Sequence, residues 1–170
     1  MNNKKLVEFG RSLALDVTSS NSFESKNTNK CLTVSEKGKK YILHNDNDST
    51  NAKYHIDGHV IDDNDMKCDY LVVNYFDNNE KLLFIELKGA NLTHAFDQIS
   101  RTIDVLEPYT SKLKNKRYYA RIVCSKVASR FNTSSNYVNL KTKIANLNKE
   151  KNDKYIKITG SRLEEHTEDL

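Results

Sequence analysis

Asp69, Glu86 and Lys88 stand where apolar residues would be expected. They bracket two apolar runs, residues 71–75 and 82–87, within the stretch DYLVVNYFDNNEKLLFIELK. Asp77, Asn78, Asn79 and Glu80 separate the runs, which predicts two strands joined by a tight connection. The second run is apolar almost without interruption, the pattern of a central strand covered on both faces. A carboxylate and an ammonium at the end of such a strand are costly unless they are paired or hold a metal. Residues two apart on a strand share a face, so Glu86 and Lys88 project together. Asp69 begins the partner strand, and the pairing register decides how closely it approaches Glu86. Two adjacent carboxylates favour either a shared proton or a bound cation. Oxygen ligands of this kind suit Mg²⁺ or Mn²⁺, with water and a substrate phosphate filling the shell. A lysine beside such a site can orient a hydrolytic water and stabilise charge that develops on phosphate.

The elements that must position these residues follow in the sequence. After Gly89 the period changes to helical, with Asn91 or Thr93 as cap and Leu92, Phe96, Ile99, Ile103 and Leu106 as the apolar stripe. Pro108 ends or kinks that helix. Gln98 lies beside the stripe and reaches either the sheet end or solvent. Residues 118–125 read as the next strand, so strand, helix and strand form a βαβ unit with a parallel pair.

This arrangement resembles the PD-(D/E)xK nuclease superfamily, with its restriction-endonuclease-like fold. The matching residues are Asp69, Glu86-Leu87-Lys88, Gly89 and the following helix, and the resemblance covers roughly residues 57–125. It implies an α/β fold, a mixed β-sheet core flanked by helices, with that core at about 54–125 of one domain spanning 1–170. It implies that Asp69 and Glu86 bind Mg²⁺ or Mn²⁺, with the Leu87 carbonyl as a third ligand, and that Lys88 is the catalytic lysine. Some branches carry a glutamine on the next helix, where Gln98 falls. Others place a further acid on an early helix, which makes Glu8 a candidate. Cys68 stands where many members have proline. The implied activity is hydrolysis of phosphodiester bonds in nucleic acid, DNA ahead of RNA, in restriction, phage defence or repair. A homodimer or a subunit of a larger complex is the implied assembly.

Composition narrows the class. The 170 residues are 37% apolar and 29% charged, the balance of a soluble domain with a modest core. No run approaches 18 apolar residues, and the first residues, MNNKKLVEF, carry no apolar leader, so the expectation is a cytoplasmic protein without a membrane span. Cys31, Cys68 and Cys124 are widely spaced and odd in number, which suits reduced thiols and excludes a disulfide framework. The net charge is +4, and the basic excess lies in the second half of the chain, the side expected to meet a polyanion.

The remaining segments read as follows. Residues 3–16 form an amphipathic helix through Leu6, Phe9, Leu13 and Val17. Residues 31–35 and 39–44 form a hairpin, 45–52 a polar loop, and 54–61 a strand bent at Asp57-Gly58. Asp57 and His59 lie near enough in sequence to line the site, and Asp62, Asp63 and Asp65 mark the following turn. His94 and Arg101 flank Gln98 and can contact phosphate, as can Lys126 and Arg130 after the βαβ unit. A helix is expected over 137–149 and a short strand over 155–159, while the acidic tail at 163–170 reads as frayed. No phosphate-binding loop, dinucleotide fingerprint or Gly-x-Ser-x-Gly elbow is present. Two other readings are open. A non-catalytic module on the same fold would use Glu86 and Lys88 as a structural ion pair. A hydrolase built on Cys68 or Cys124 with His59 lacks a helix N-terminus or fixed base beside either thiol.

Overall fold

Two-residue turns, continuous apolar strands and one long amphipathic helix set the architecture. The structure, a computed structural model, describes residues 3–13, 19–20, 24–61, 64–88, 90–127 and 129–170. In chain order the helices are α1 (Asn3–Ser12), α2 (Leu92–Thr110) and α3 (Ser135–Asn148). The strands are β1 (Ser19–Ser20), β2 (Glu24–Asn27), β3 (Cys31–Glu36), β4 (Lys39–His44), β5 (Thr50–His55), β6 (Tyr70–Phe76), β7 (Asn79–Lys88), β8 (Lys116–Cys124), β9 (Ile156–Gly160) and β10 (Arg162–His166). The fold is α/β. A seven-stranded mixed sheet has the order β1-β2-β5-β6-β7-β8-β9, and a three-stranded sheet has the order β10-β4-β3.

The large sheet changes direction once. Pairings from β1 to β7 are antiparallel, and β7, β8 and β9 are parallel. The β6–β7 hairpin turns on Asp77 (φ 49°) and Asn78 (φ 56°), two residue types that tolerate the left-handed region a tight hairpin requires. The α2 helix then supplies the crossover to β8, as the βαβ pattern predicts. Asn91 caps α2 by accepting from the His94 N–H at 3.1 Å, and Pro108 lies within the helix, two residues before its end.

Residues 82–87 of β7 are all buried. Their alternation divides the core into two layers. Leu82, Phe84 and Glu86 face α2, as shown by Lys88 meeting Gln98 and by Tyr118, level with Leu82, meeting Thr110 at 3.0 Å. Leu83, Ile85 and Leu87 share the opposite face with Arg121, which meets Glu165 of the small sheet. Each fully buried Leu, Ile or Phe in these layers contributes about 1.5–3 kcal/mol.

Several boundaries differ from the sequence reading. The sheet core extends well beyond 54–125, because β2, the start of β5 and β9 all join it. The first helix ends at Ser12, and Val17 lies outside the described residues, as do Asp62, Asp63 and Gly89. The strand expected over 54–61 stops at His55 and gives way to a turn closed by a bridge between Asp57 and Ile61. The expected frayed tail is instead β10, laid parallel against β4. Its ordering has a clear cause: Glu165 is buried and neutralises Arg121, a pairing that acidic composition alone does not reveal. Among the described residues no helix is long and apolar enough to cross a membrane.

Candidate active site

The β6–β7 ladder answers the question of register. Tyr70 pairs with Ile85, so the next rung outward sets Asp69 opposite Glu86. The Leu87 N–H donates to Asp69 Oδ2 at 2.7 Å, which fixes the Asp69 carboxylate against the end of β7. Lys88 shares the Glu86 face, and its Nζ lies 3.3 Å from Glu86 Oε1. The same ammonium donates to Gln98 Oε1 at 2.6 Å. Gln98 in turn donates through Nε2 to the Lys67 carbonyl at 2.7 Å, so it bridges the chain entering β6 and the lysine ending β7. Thr102, one turn after Gln98, accepts from the Cys68 N–H and donates to the Gln98 carbonyl, both at 2.8 Å. This hydroxyl locks the glutamine's turn of helix to the segment that leads through Asp69 into β6.

The electrostatics of the pair are unbalanced. Glu86 is 1% exposed, and its Oε2 is buried with no hydrogen-bond partner. Burial pushes its carboxyl up to about 8, the charge of Asp69 adds to the rise, and Lys88 opposes it. Burial also pushes Asp69 up to about 6, against the Leu87 hydrogen bond. Glu36, on the β3–β4 hairpin, and Asp57 add further negative potential at Asp69. A divalent cation between the two carboxylates would relieve this repulsion and give the orphaned oxygen a partner. Asp69 and Glu86 supply two carboxylates, a number that suits Mg²⁺ when water and phosphate complete its shell. Among the described residues no group of three or more His, Cys, Asp and Glu side chains is arranged to hold a metal ion.

The other candidates separate into those near this cluster and those elsewhere. Leu87 is buried, and its main chain touches the Asp69 carboxylate directly. Asp57 is exposed and lies 3.6 Å from the Lys67 ammonium. The His59 ring stacks on His55 at 4.1 Å, and His55 stacks on Tyr70 at 4.8 Å, next in sequence to Asp69. His94 is exposed on the first turn of α2. Arg101 is engaged by Asp65, with Nε and Nη2 2.7 and 2.6 Å from Oδ2, so its guanidinium already serves an acid of the preceding turn. Lys126 and Arg130 are exposed on the segment after β8. Glu8 is exposed on α1. Cys68 and Cys124 are buried, and burial raises both thiols, which opposes the thiolate that a cysteine hydrolase requires.

Sequence reasoning missed Lys67, Thr102 and Glu36. Thr102 carries a usable signal, since it lies four residues after Gln98 on the same face of a helix. Lys67 acts through its carbonyl, and Glu36 arrives from the other sheet, so neither leaves a pattern. Comparisons with protein-family models, curated proteins and solved structures gave no match.

Proposed function

We propose that the chain is a metal-dependent nuclease of the PD-(D/E)xK type, hydrolysing phosphodiester bonds in nucleic acid, DNA ahead of RNA. One observation carries the reading: Asp69 and Glu86 face each other across β6 and β7, with Lys88 on the Glu86 face and Glu86 Oε2 left without a partner. Asp69 and Glu86, with the Leu87 carbonyl, would hold Mg²⁺ or Mn²⁺. When bound, the ion would supply Lewis-acid stabilisation of phosphate charge and a more acidic water. Lys88 places its ammonium beside the carboxylates, where it stabilises negative charge on a phosphate and orients the attacking water. Gln98 holds that ammonium from one side through its 2.6 Å contact, which makes it a positioning residue. The exposed cations Lys126 and Arg130 suit contacts to flanking phosphates. Three free cysteines fit action in a reducing compartment such as the cytoplasm. A homodimer, or a place in a larger complex, would supply the contacts to nucleic acid that one small domain lacks.

A second reading has its own support. The 3.3 Å Lys88–Glu86 contact is also that of a structural ion pair, and on this reading the chain binds nucleic acid or protein without cutting. Labelled single- and double-stranded DNA and RNA, incubated with Mg²⁺, Mn²⁺ or EDTA, separate the two. The nuclease reading expects metal-dependent products from the native chain and loss of about 10²–10³-fold or more in Glu86→Ala and Lys88→Ala. It also expects Mg²⁺ to raise the melting temperature of the native chain but not of Glu86→Ala. No products on any substrate, together with no thermal shift, would leave the binding module as the function.

A further inference from the structure

A cleft opens two residues beyond Lys88. It has a volume of about 400 Å³ and lies between the first turn of α2 and the segment 129–134. That size is within the roughly 300–1,000 Å³ typical of small-molecule sites. Phe96 and Leu92, both buried, belong to its lining, and Phe131 is half-buried beside them. The Phe131 ring is held by Phe96 at 6.4 Å and by Tyr137 at 5.3 Å, an edge-on contact. Arg130 is exposed beside Phe131, and Thr93, Ser129 and Ser134 complete the wall, the Ser134 hydroxyl being engaged by the Phe131 carbonyl and the Tyr137 N–H that it caps. A braced aromatic ring, hydroxyls and a guanidinium together suit a ligand with one flat apolar part, hydrogen-bonding edges and a negative charge.

From this we infer that the cleft binds a single unpaired nucleotide, adjacent to the phosphodiester to be cut. The inference rests on the nuclease reading for its orientation. Ala90, in the cleft wall, is two residues from Lys88, a reach of at most about 7 Å. That reach matches the step from one phosphate to its neighbour along a strand. A strand that leaves the cleft past Ala90 is therefore within about one phosphate step of Lys88, which orients a nucleotide seated on Phe131 towards the acid site. A base inside a duplex cannot enter, because its faces are stacked and its Watson–Crick edge is paired. The substrate class is accordingly single-stranded nucleic acid, or a duplex with a frayed, flapped or flipped nucleotide. The stacking contribution is tolerant of base identity, so little sequence preference is expected at this position.

The test measures binding separately from cutting. The full chain, isotope-labelled and held in EDTA, is titrated with 5′-phosphorylated trithymidylate while amide shifts are followed. Shifts centred on residues 90–93 and 129–134 are expected, with affinity lowered about tenfold in Phe131→Leu and in Arg130→Gln. Phe131→Leu keeps apolar volume in the aromatic cluster, and Arg130→Gln alters an exposed side chain, so both variants should stay folded; their unshifted amides report it. Equal binding of a short blunt duplex, identical shifts with inorganic phosphate alone, or unchanged affinity in both variants would each overturn the inference. Metal-dependent cutting without any trithymidylate binding would overturn it while leaving the nuclease reading intact. Binding at the cleft without cutting or metal binding would sustain the cleft and remove the nuclease reading.

Discussion

Two clusters of charge lie inside this molecule, on opposite faces of the same sheet, and they are solved in opposite ways. Between the sheets, Arg121 is wholly buried, and its Nε donates to Glu165 Oε1 at 2.6 Å. Glu165 also accepts from Tyr41 at 2.8 Å and from Lys157 at 2.8 Å, and Arg121 Nη1 donates to three main-chain carbonyls. Burial works against the Glu165 charge, yet Arg121 and these hydrogen bonds hold its carboxyl below the usual range. At the β6–β7 end, Asp69 and Glu86 share a single lysine, and both carboxyls are raised by burial. A fold able to neutralise a buried carboxylate so fully at one place leaves two undercompensated at another. The contrast separates a buried carboxylate whose charge is offset by its partners from two that are left short of them, and it is the second kind that marks a candidate site.

The sharpest test of that contrast removes one partner from the balanced cluster. Glu165→Ala should destabilise the fold by about 3–5 kcal/mol, since it strands the Arg121 guanidinium away from water. Denaturant titration reads the change, and a loss below about 1 kcal/mol would mean that water reaches Arg121 and the cluster is not closed.

The undercompensated site should respond with the opposite sign. In the folded chain Glu86 keeps its proton up to about pH 8, whereas an unperturbed glutamate loses it near 4.5. Between those values the unfolded chain is the more ionised, so each step upward in pH favours unfolding. The protonated carboxyl's contribution is whole below about pH 4.5 and gone above about 8. Glu86→Gln should therefore stabilise the fold at pH 8 by about 2 kcal/mol, with the gain fading towards pH 4. Glu165, with its lowered carboxyl, contributes in the reverse direction, its share falling as the solution is acidified. Equal effects of Glu86→Gln at the two pH values would show that Glu86 titrates normally and would break the comparison.

The smallest effect belongs to the positioning residue. Gln98→Ala removes one contact to Lys88 and one to the Lys67 carbonyl, and should cost about 1–2 kcal/mol of stability. On the nuclease reading, kcat should fall more than KM rises, and Gln98→Glu should restore part of it by keeping an oxygen at Lys88. Unchanged kcat in Gln98→Ala would reduce this residue to a structural brace.

Much of the site's local geometry was legible in the sequence. The strand ending in Glu86 and Lys88, the tight polar connection before it and the following capped helix all leave local patterns of period or composition. Those patterns predicted the βαβ unit and the shared face of Glu86 and Lys88, while the α/β class with a mixed sheet came as what the family resemblance implies. What escaped was set by pairing between distant segments. Asp69 opposite Glu86 depends on register, which emerges only once β6 and β7 align. The tail was misread because LEEHTEDL looks like a solvated acidic run until Arg121, from another strand, supplies the reason to bury Glu165. Arg101 reads as a phosphate contact until the turn before β6 brings Asp65 to it.

The junction of β10 with β4 also sets a timetable. Tyr41 and Glu165 are 124 residues apart, and the β10–β4 edge of the small sheet closes over that span, whereas β3 and β4 form a local hairpin. Contacts so remote in sequence carry a large loop-closure cost and tend to slow folding. The helix, the β6–β7 hairpin and the β7–β8 crossover are by comparison local, and suit an early nucleus. Docking of β10 then acts as a late latch. Glu165→Ala should accordingly hasten unfolding while hardly slowing folding. Chevron kinetics would show it, and a slowed folding limb would place the latch inside the nucleus instead. Glu86 and Lys88 lie on the other face of β7, against α2, so the raised carboxyls of the acid site belong to the locally built half of the molecule and do not wait on the latch.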